Sequence, residues 1–172
     1  LENFYGFLFK DQELKGNFTL NSNKLKIDDF LSDTEKTATT EKSERLKIPS
    51  FLNCNFDASA KTVIYDNINL SNVGGRILIK NETVDLQNVK MDVFSGKIAM
   101  TGKVSTKEEI SNFAMDVNLK ELNIADSFTQ LTTLKAIAPI AKTIEGKLNS
   151  TIKLSGNLSD DMTPVLTSIT GD

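Results

Sequence analysis

Three pairs of adjacent acids, Asp28-Asp29, Glu108-Glu109 and Asp160-Asp161, are the side chains whose type suits acid–base work or metal binding. Neighbouring residues of an extended strand point to opposite faces, so such a pair rarely converges on one atom. Two of the pairs are placed as turn or cap residues instead. The chain holds no histidine, which removes Ser-His-Asp and Cys-His arrangements and most zinc sites. Cys54, the single cysteine, has no partner for an intrachain disulfide and shares strand parity with Leu52, Phe56 and Ala58. It reads as a small buried apolar residue rather than a reactive thiol. Gly74-Gly75 is followed by no helix start, so it relieves backbone crowding at a bulge rather than cradling phosphate. The Asn-x-Ser/Thr triplets at Asn17, Asn81, Asn149 and Asn157 carry no weight in so Asn- and Thr-rich a chain. No catalytic, metal or cofactor set emerges, and the chain reads as non-enzymatic.

The elements that would position any site are strands. At 172 residues the chain can form one domain with a core, or two small ones. Its 39% hydrophobic and 25% charged content is that of a globular protein, and a net charge of −3 argues against nucleic acid. Leu52, Cys54, Phe56, Ala58, Ala60, Thr62 and Ile64 keep strict period two. Ile68 and Leu70 face inward, then Val73, Ile77 and Ile79; this parity flip beside Gly74-Gly75 predicts a bulge. Val84 and Leu86, then Val89, Met91 and Val93, flip again at Gln87-Asn88. Asn81-Glu82 and Ser95-Gly96 read as turns. Ile98, Met100 and Val104, then Phe113, Met115, Val117 and Leu119, continue the pattern. Opposite positions are Asn, Asp, Lys, Ser and Thr, so one face is wet and the other dry.

Before this run, Leu14, Phe18 and Leu20 and then Leu25 and Ile27 suggest two short strands about a turn at Asn21-Ser22-Asn23. Phe4, Tyr5, Phe7, Leu8 and Phe9 fit either a short helix or a strand buried on both faces. Residues 32–47 are polar and of mixed charge, too poor in apolar groups to offset the entropy of ordering. After the run the period changes. Ser127 with Gln130 reads as a capping box, and Phe128, Leu131, Leu134, Ile137, Ala138 and Ala141 take helical spacing, with Pro139 expected to kink or split the helix near Ala136 to Ala138. A last strand carries Leu148, Ile152, Leu154 and Leu158, and Asp160-Asp161 with Pro164 reads as another helix start.

The expected fold is therefore mainly β with one or two helices, a curved, bulged antiparallel β-meander or groove capped by a helix. The expected organisation is an N-terminal β segment over 1–31, a flexible polar linker over 32–47, and a β domain over 48–172 with a helix at about 126–143. The dry face is either an ordinary core or a groove for acyl chains. Groove candidates are Phe56, Ile64, Ile68, Leu70, Ile77, Ile79, Val84, Leu86, Met91, Val93, Ile98, Met100, Phe113, Met115 and Val117. The start at Leu1 without Met reads as a piece of something longer, and no apolar run approaches the roughly 20 residues of a membrane span.

The order Ile48-Pro49, Tyr65-Asp66, Asn72-Val73 with Gly75, the hairpin from Leu86 to Gly102, and Ala138-Pro139-Ile140-Ala141 resembles the C-terminal region of bacterial AsmA family proteins, in the versions found in Bacteroidetes-type genomes. The likeness covers about two thirds of the chain, from Lys47 onward. Asn81-Glu82 stands where the family often has Asp-Gly, and Ser95 where it often has Gly. The resemblance implies a non-enzymatic envelope protein facing the bacterial periplasm and held in the inner membrane by a segment outside this chain. It further implies an apolar β-groove that handles phospholipid acyl chains in outer-membrane assembly, with no cofactor. A structural or adhesive β-sandwich of a cell-surface protein is the alternative, and it requires two packed sheets.

Overall fold

The structure, a computed structural model, describes residues 2–10, 12–26, 45–65, 68–130 and 145–172. The elements are α1 (Phe4–Lys10), β1 (Leu14–Lys26), β2 (Leu52–Tyr65), β3 (Ile68–Lys80), β4 (Thr83–Val93), β5 (Gly96–Ser105), β6 (Asn112–Asn123), α2 (Ile124–Gln130), β7 (Lys147–Asn157), a 3-10 turn (Leu166–Ser168) and β8 (Thr170–Gly171). All eight described strands lie in one curved open sheet, in sequence order. From β2 to β8 every pair is antiparallel, while β1 joins β2 parallel. The mainly β, helix-capped meander read from the sequence is the fold observed.

Hairpin turns fix the register. Asn81 and Glu82 both have positive φ, 51° and 56°, between the paired Lys80 and Thr83. Phe94 and Ser95 do the same, at 50° and 58°, between Val93 and Gly96. Both are two-residue loops with the backbone twist that matches twisted strands. The second turn thus lies one residue earlier than the expected Ser95-Gly96. Gly96 instead sits inside β5, where an added Cβ would lie 2.6 Å from the backbone of Glu121 and Leu122. Only glycine permits that approach.

Bulges bend the sheet, and two of them are the expected ones. The β3–β4 register shifts around Gly74 next to Asn72 (φ 51°), and β4 slips against β5 between Leu86 and Val89, at Asn88 (φ 50°). A third, in β6 between Leu119 and Leu122, carries Glu121 at φ 54°. Each adds one residue to a strand and returns the apolar side chains to the same face.

Other details depart from expectation. β1 runs unbroken through Asn21-Ser22-Asn23 rather than turning there. Of the two readings of the Phe4–Phe9 cluster, the short helix is the one observed. Helix α2 begins two residues before the expected 126, where Asn123 Oδ1 accepts from Asp126 N–H at 3.0 Å and caps it. Ser127 is no cap: its hydroxyl donates back to the Asn123 carbonyl at 2.7 Å. The remainder of the expected helix, from Leu131 to Pro139 and Ala141, lies outside the described residues, as do Ile27, Asp28-Asp29 and most of 32–47. No α-helix starts at Asp160-Asp161. Leu158 bridges Pro164, and the chain makes only the 3-10 turn before β8. A carboxylate acting on its own turn, below, removes the helix-start role.

Candidate functional site

Antiparallel and parallel partners share a face, so the register reads out the dry face row by row. One row runs Cys54, Ile79, Val84, Val104, Phe113 and Gly156. The next runs Phe18, Phe56, Ile77, Leu86, Gly102, Met115 and Leu154 from β1 to β7. Its two aromatic rings stack at 4.7 Å. Val89, Met100, Val117 and Ile152 form part of a third row, and Met91, Ile98 and Leu119 part of a fourth. Beyond the bulges, Leu25, Val63 and Leu70 align across β1–β3, while Leu122 pairs with Leu148 across β6–β7. These rows hold no charged side chain.

The register moves one candidate. Val63 pairs with Leu70, and Ile64 pairs with Asn69 and Lys26. Adjacent strand residues face opposite ways, so Ile64, with Thr62 beside Ser71, lies on the polar face. The strict period from Leu52 to Ile64 therefore breaks near Lys61. Asn72 flips β3 at that level, and the neighbouring strands must flip with it to keep their pairing. Val63, at 3% exposure, is the apolar residue that the unbroken period passed over. The other fourteen candidates share the dry face. Val93 and Phe113 among them are buried, and Phe56, Ile68, Leu70, Ile77, Ile79, Val84, Leu86, Met91, Ile98, Met100, Met115 and Val117 are half-buried.

Burial is concentrated at the two ends of this face. Cys54, Phe113 and Leu158 are buried at one end, and Val63, Val93 and Leu122 at the other. The first end is tied by polar groups. The Arg45 guanidinium donates to the Thr106 and Glu108 carbonyls and, at 3.0 Å, to Ser111 Oγ. Ile48 N–H donates to Thr106 Oγ1 at 3.0 Å, and that hydroxyl donates onward to the Glu82 carbonyl. Thr106 and Ser111 are the most buried side chains described. Burial makes these bonds costly to leave unmade, so they hold residues 45–48 across the sheet end. The middle rows are left as a half-buried apolar band running across the strands.

The opposite face is an amide and hydroxyl ladder. Asn55 Nδ2 donates to Asn17 Oδ1 at 2.7 Å, Ser59 Oγ to Asn21 Oδ1 at 2.6 Å, and Asn118 Nδ2 to Thr151 Oγ1 at 2.9 Å. Arg76 and Asp57 pair at 2.7 Å, with both side chains about half exposed. A hollow of about 600 Å³ on this side has Asp85, Asp116 and Asp172 alternating with Lys103 and Lys153. Among the described residues no three acids or cysteines gather as a metal set.

The two described acid pairs take turn roles. Asp161 accepts hydrogen bonds from Ser159 Oγ, Thr163 Oγ1 and the Thr163 N–H, which together pull its carboxyl down to about 2. Its neighbour's carbonyl accepts from Leu46 N–H at 2.9 Å. Glu108 and Glu109 are exposed in the β5–β6 loop, where the Glu108 carbonyl receives Arg45. Cys54 is buried, its thiol 3.4 Å from the Leu14 carbonyl.

Sequence reading missed the Arg45–Thr106–Ser111 tie, because nothing local distinguishes a buried Thr or Ser from a loop one. It also missed the Glu121 bulge, although Leu119 to Leu122 repeats the spacing of Leu70 to Val73 and Leu86 to Val89. No family model, curated protein or solved structure matches the chain.

Proposed function

We propose that the chain is a lipid-handling wall of an AsmA-like envelope protein, non-enzymatic and facing the bacterial periplasm. In this reading the apolar band holds phospholipid acyl chains on their way to outer-membrane assembly, and a segment elsewhere in the parent protein anchors it in the inner membrane. The observation that carries the reading is the dry face: apolar rows that cross the sheet, free of charge, in side chains left mostly half-buried. A sheet normally buries one face completely, and an aliphatic chain is the ligand that such a surface recognises without hydrogen bonds. The order of sequence motifs supports the same family. The sandwich alternative needs a second sheet, and the described strands all lie in one.

The test is lipid extraction from protein purified out of membranes, read by mass spectrometry, with Ile77→Asp and Met91→Asp beside the parent. Phospholipid in the parent and its loss from variants that keep their circular dichroism spectrum is the expected result. A lipid-free parent, or variants that simply unfold as a closed core would, sinks the proposal.

A further inference from the structure

Helix α1 is built the wrong way round for a helix that serves its own sheet. Gly6 is buried against Gln12, and Phe7 is half-buried on Phe51 at a ring separation of 5.3 Å. The larger apolar side chains point outward: Phe4 is 54% exposed, Tyr5 67%, Leu8 52% and Phe9 70%. An amphipathic helix hides its apolar stripe, and here the stripe at i and i+4 faces solvent. The orientation is fixed, not incidental. Phe7 N–H donates to the Asn3 carbonyl, Asn3 Oδ1 accepts from Lys15 N–H at 2.8 Å, and Glu2 N–H donates to the Lys15 carbonyl at 2.9 Å.

We propose that α1 is a bilayer-contact element, an aromatic wedge that seats the Leu14 end of β1 on a phospholipid surface. Tyr5 and Phe9 pack together at 4.9 Å, and Lys10 Nζ stands 6.0 Å over the Tyr5 ring. Aromatic rings with a polar tip and a cation at their border are the residues that favour the headgroup boundary. Charge at this end is balanced, Lys10 and Lys15 standing near Glu2 and Glu13 while Lys24 and Lys26 lie at the far end of β1, so the wedge rests on its apolar rings. Area argues for a bilayer over a protein partner. Aromatic side chains offer about 150–250 Å² each, so the four exposed residues present roughly 400 Å². A stable protein interface needs about 800 Å² from each partner. A bilayer accepts a small protruding wedge. No residue of α1 belongs to the apolar band, so the inference stands apart from the lipid-handling reading.

The chain has no tryptophan, so Phe9→Trp is a clean reporter. With vesicles of equal parts phosphatidylcholine and phosphatidylglycerol, the protein should co-float and the reporter's emission should shift to the blue. Vesicle affinity should fall about tenfold for each ring removed in Phe4→Ser and Phe9→Ser. The thermal midpoint should hold, because these rings are exposed. Tyr5→Ser repeats the test should either variant fail to fold. A parent that stays unbound, a reporter that does not shift, or serine variants that float equally well would overturn the assignment. So would concentration-dependent self-association that the same serine variants abolish, which would give the wedge to a second copy.

Discussion

Thr106 is the residue on which most of the described polar closure converges. Its hydroxyl accepts from Ile48 N–H and donates to the Glu82 carbonyl, while its own N–H donates to that carbonyl at 2.9 Å. Thr106→Val keeps the shape and strands the Ile48 donor. We expect a loss of about 1–3 kcal/mol from the cost of an unmade buried hydrogen bond, read by urea denaturation, with Thr106→Ser close to the parent. A Val variant as stable as the parent would show that residues 45–48 are not held through this hydroxyl. This residue also marks where sequence reading ends. Cys54 and Phe113 were legible as inward residues because alternation carries burial information within a strand. Thr106 and Ser111 sit between strands, where burial depends on Arg45 arriving from far along the chain.

At the scale of elements, most of the sheet was legible because bulges leave a trace in parity. The skips from Leu70 to Val73 and from Leu86 to Val89 each correspond to an observed bulge. The skip from Ala60 to Val63 was hidden, because Thr62 and Ile64 happen to continue the period across it. The expected turn within β1 failed for a related reason: Asn-Ser-Asn is turn chemistry, but pairing with Asn21↔Ser59 and Ser22↔Ala60 overrides local preference. The start of α2 was misplaced because Asn123, its cap, also ends β6. Turn chemistry gives a test at this scale. Glu82 occupies positive φ at the second position of the β3–β4 hairpin, where glycine carries no Cβ penalty. The left-handed cost of about 1–2 kcal/mol outweighs the 0.4–1 kcal/mol that glycine adds in unfolded-chain entropy. Glu82→Gly should therefore stabilise the protein by about 0.5–1 kcal/mol in urea denaturation with the slope unchanged. A destabilised variant would mean that the Glu82 side chain contributes more than its backbone strain costs.

For the whole molecule, the central question is how one sheet with a half-buried apolar face stays folded. Burial is strongest toward the two ends, where Cys54, Phe113 and Leu158 on one side and Val63, Val93 and Leu122 on the other are shielded, with Ala60 the buried residue between. The middle rows contribute less than they would inside a closed core, since apolar stabilisation scales with area removed from water. A ligand that covers those rows should then stabilise the fold directly, because it binds the native sheet and not the unfolded chain. At about a hundred times its dissociation constant a ligand adds about 2.7 kcal/mol. For a chain of this size each kcal/mol raises the thermal midpoint by about 2–4 °C. Titration with a lysophospholipid, held below micelle formation, should thus raise the midpoint by roughly 5–10 °C at saturation. Ile77→Asp places a charge in the second row and should abolish the shift, whereas Lys103→Ala on the polar face should leave it intact. A midpoint insensitive to the amphiphile, or an equal shift in Ile77→Asp, would return the dry face to the status of an ordinary core.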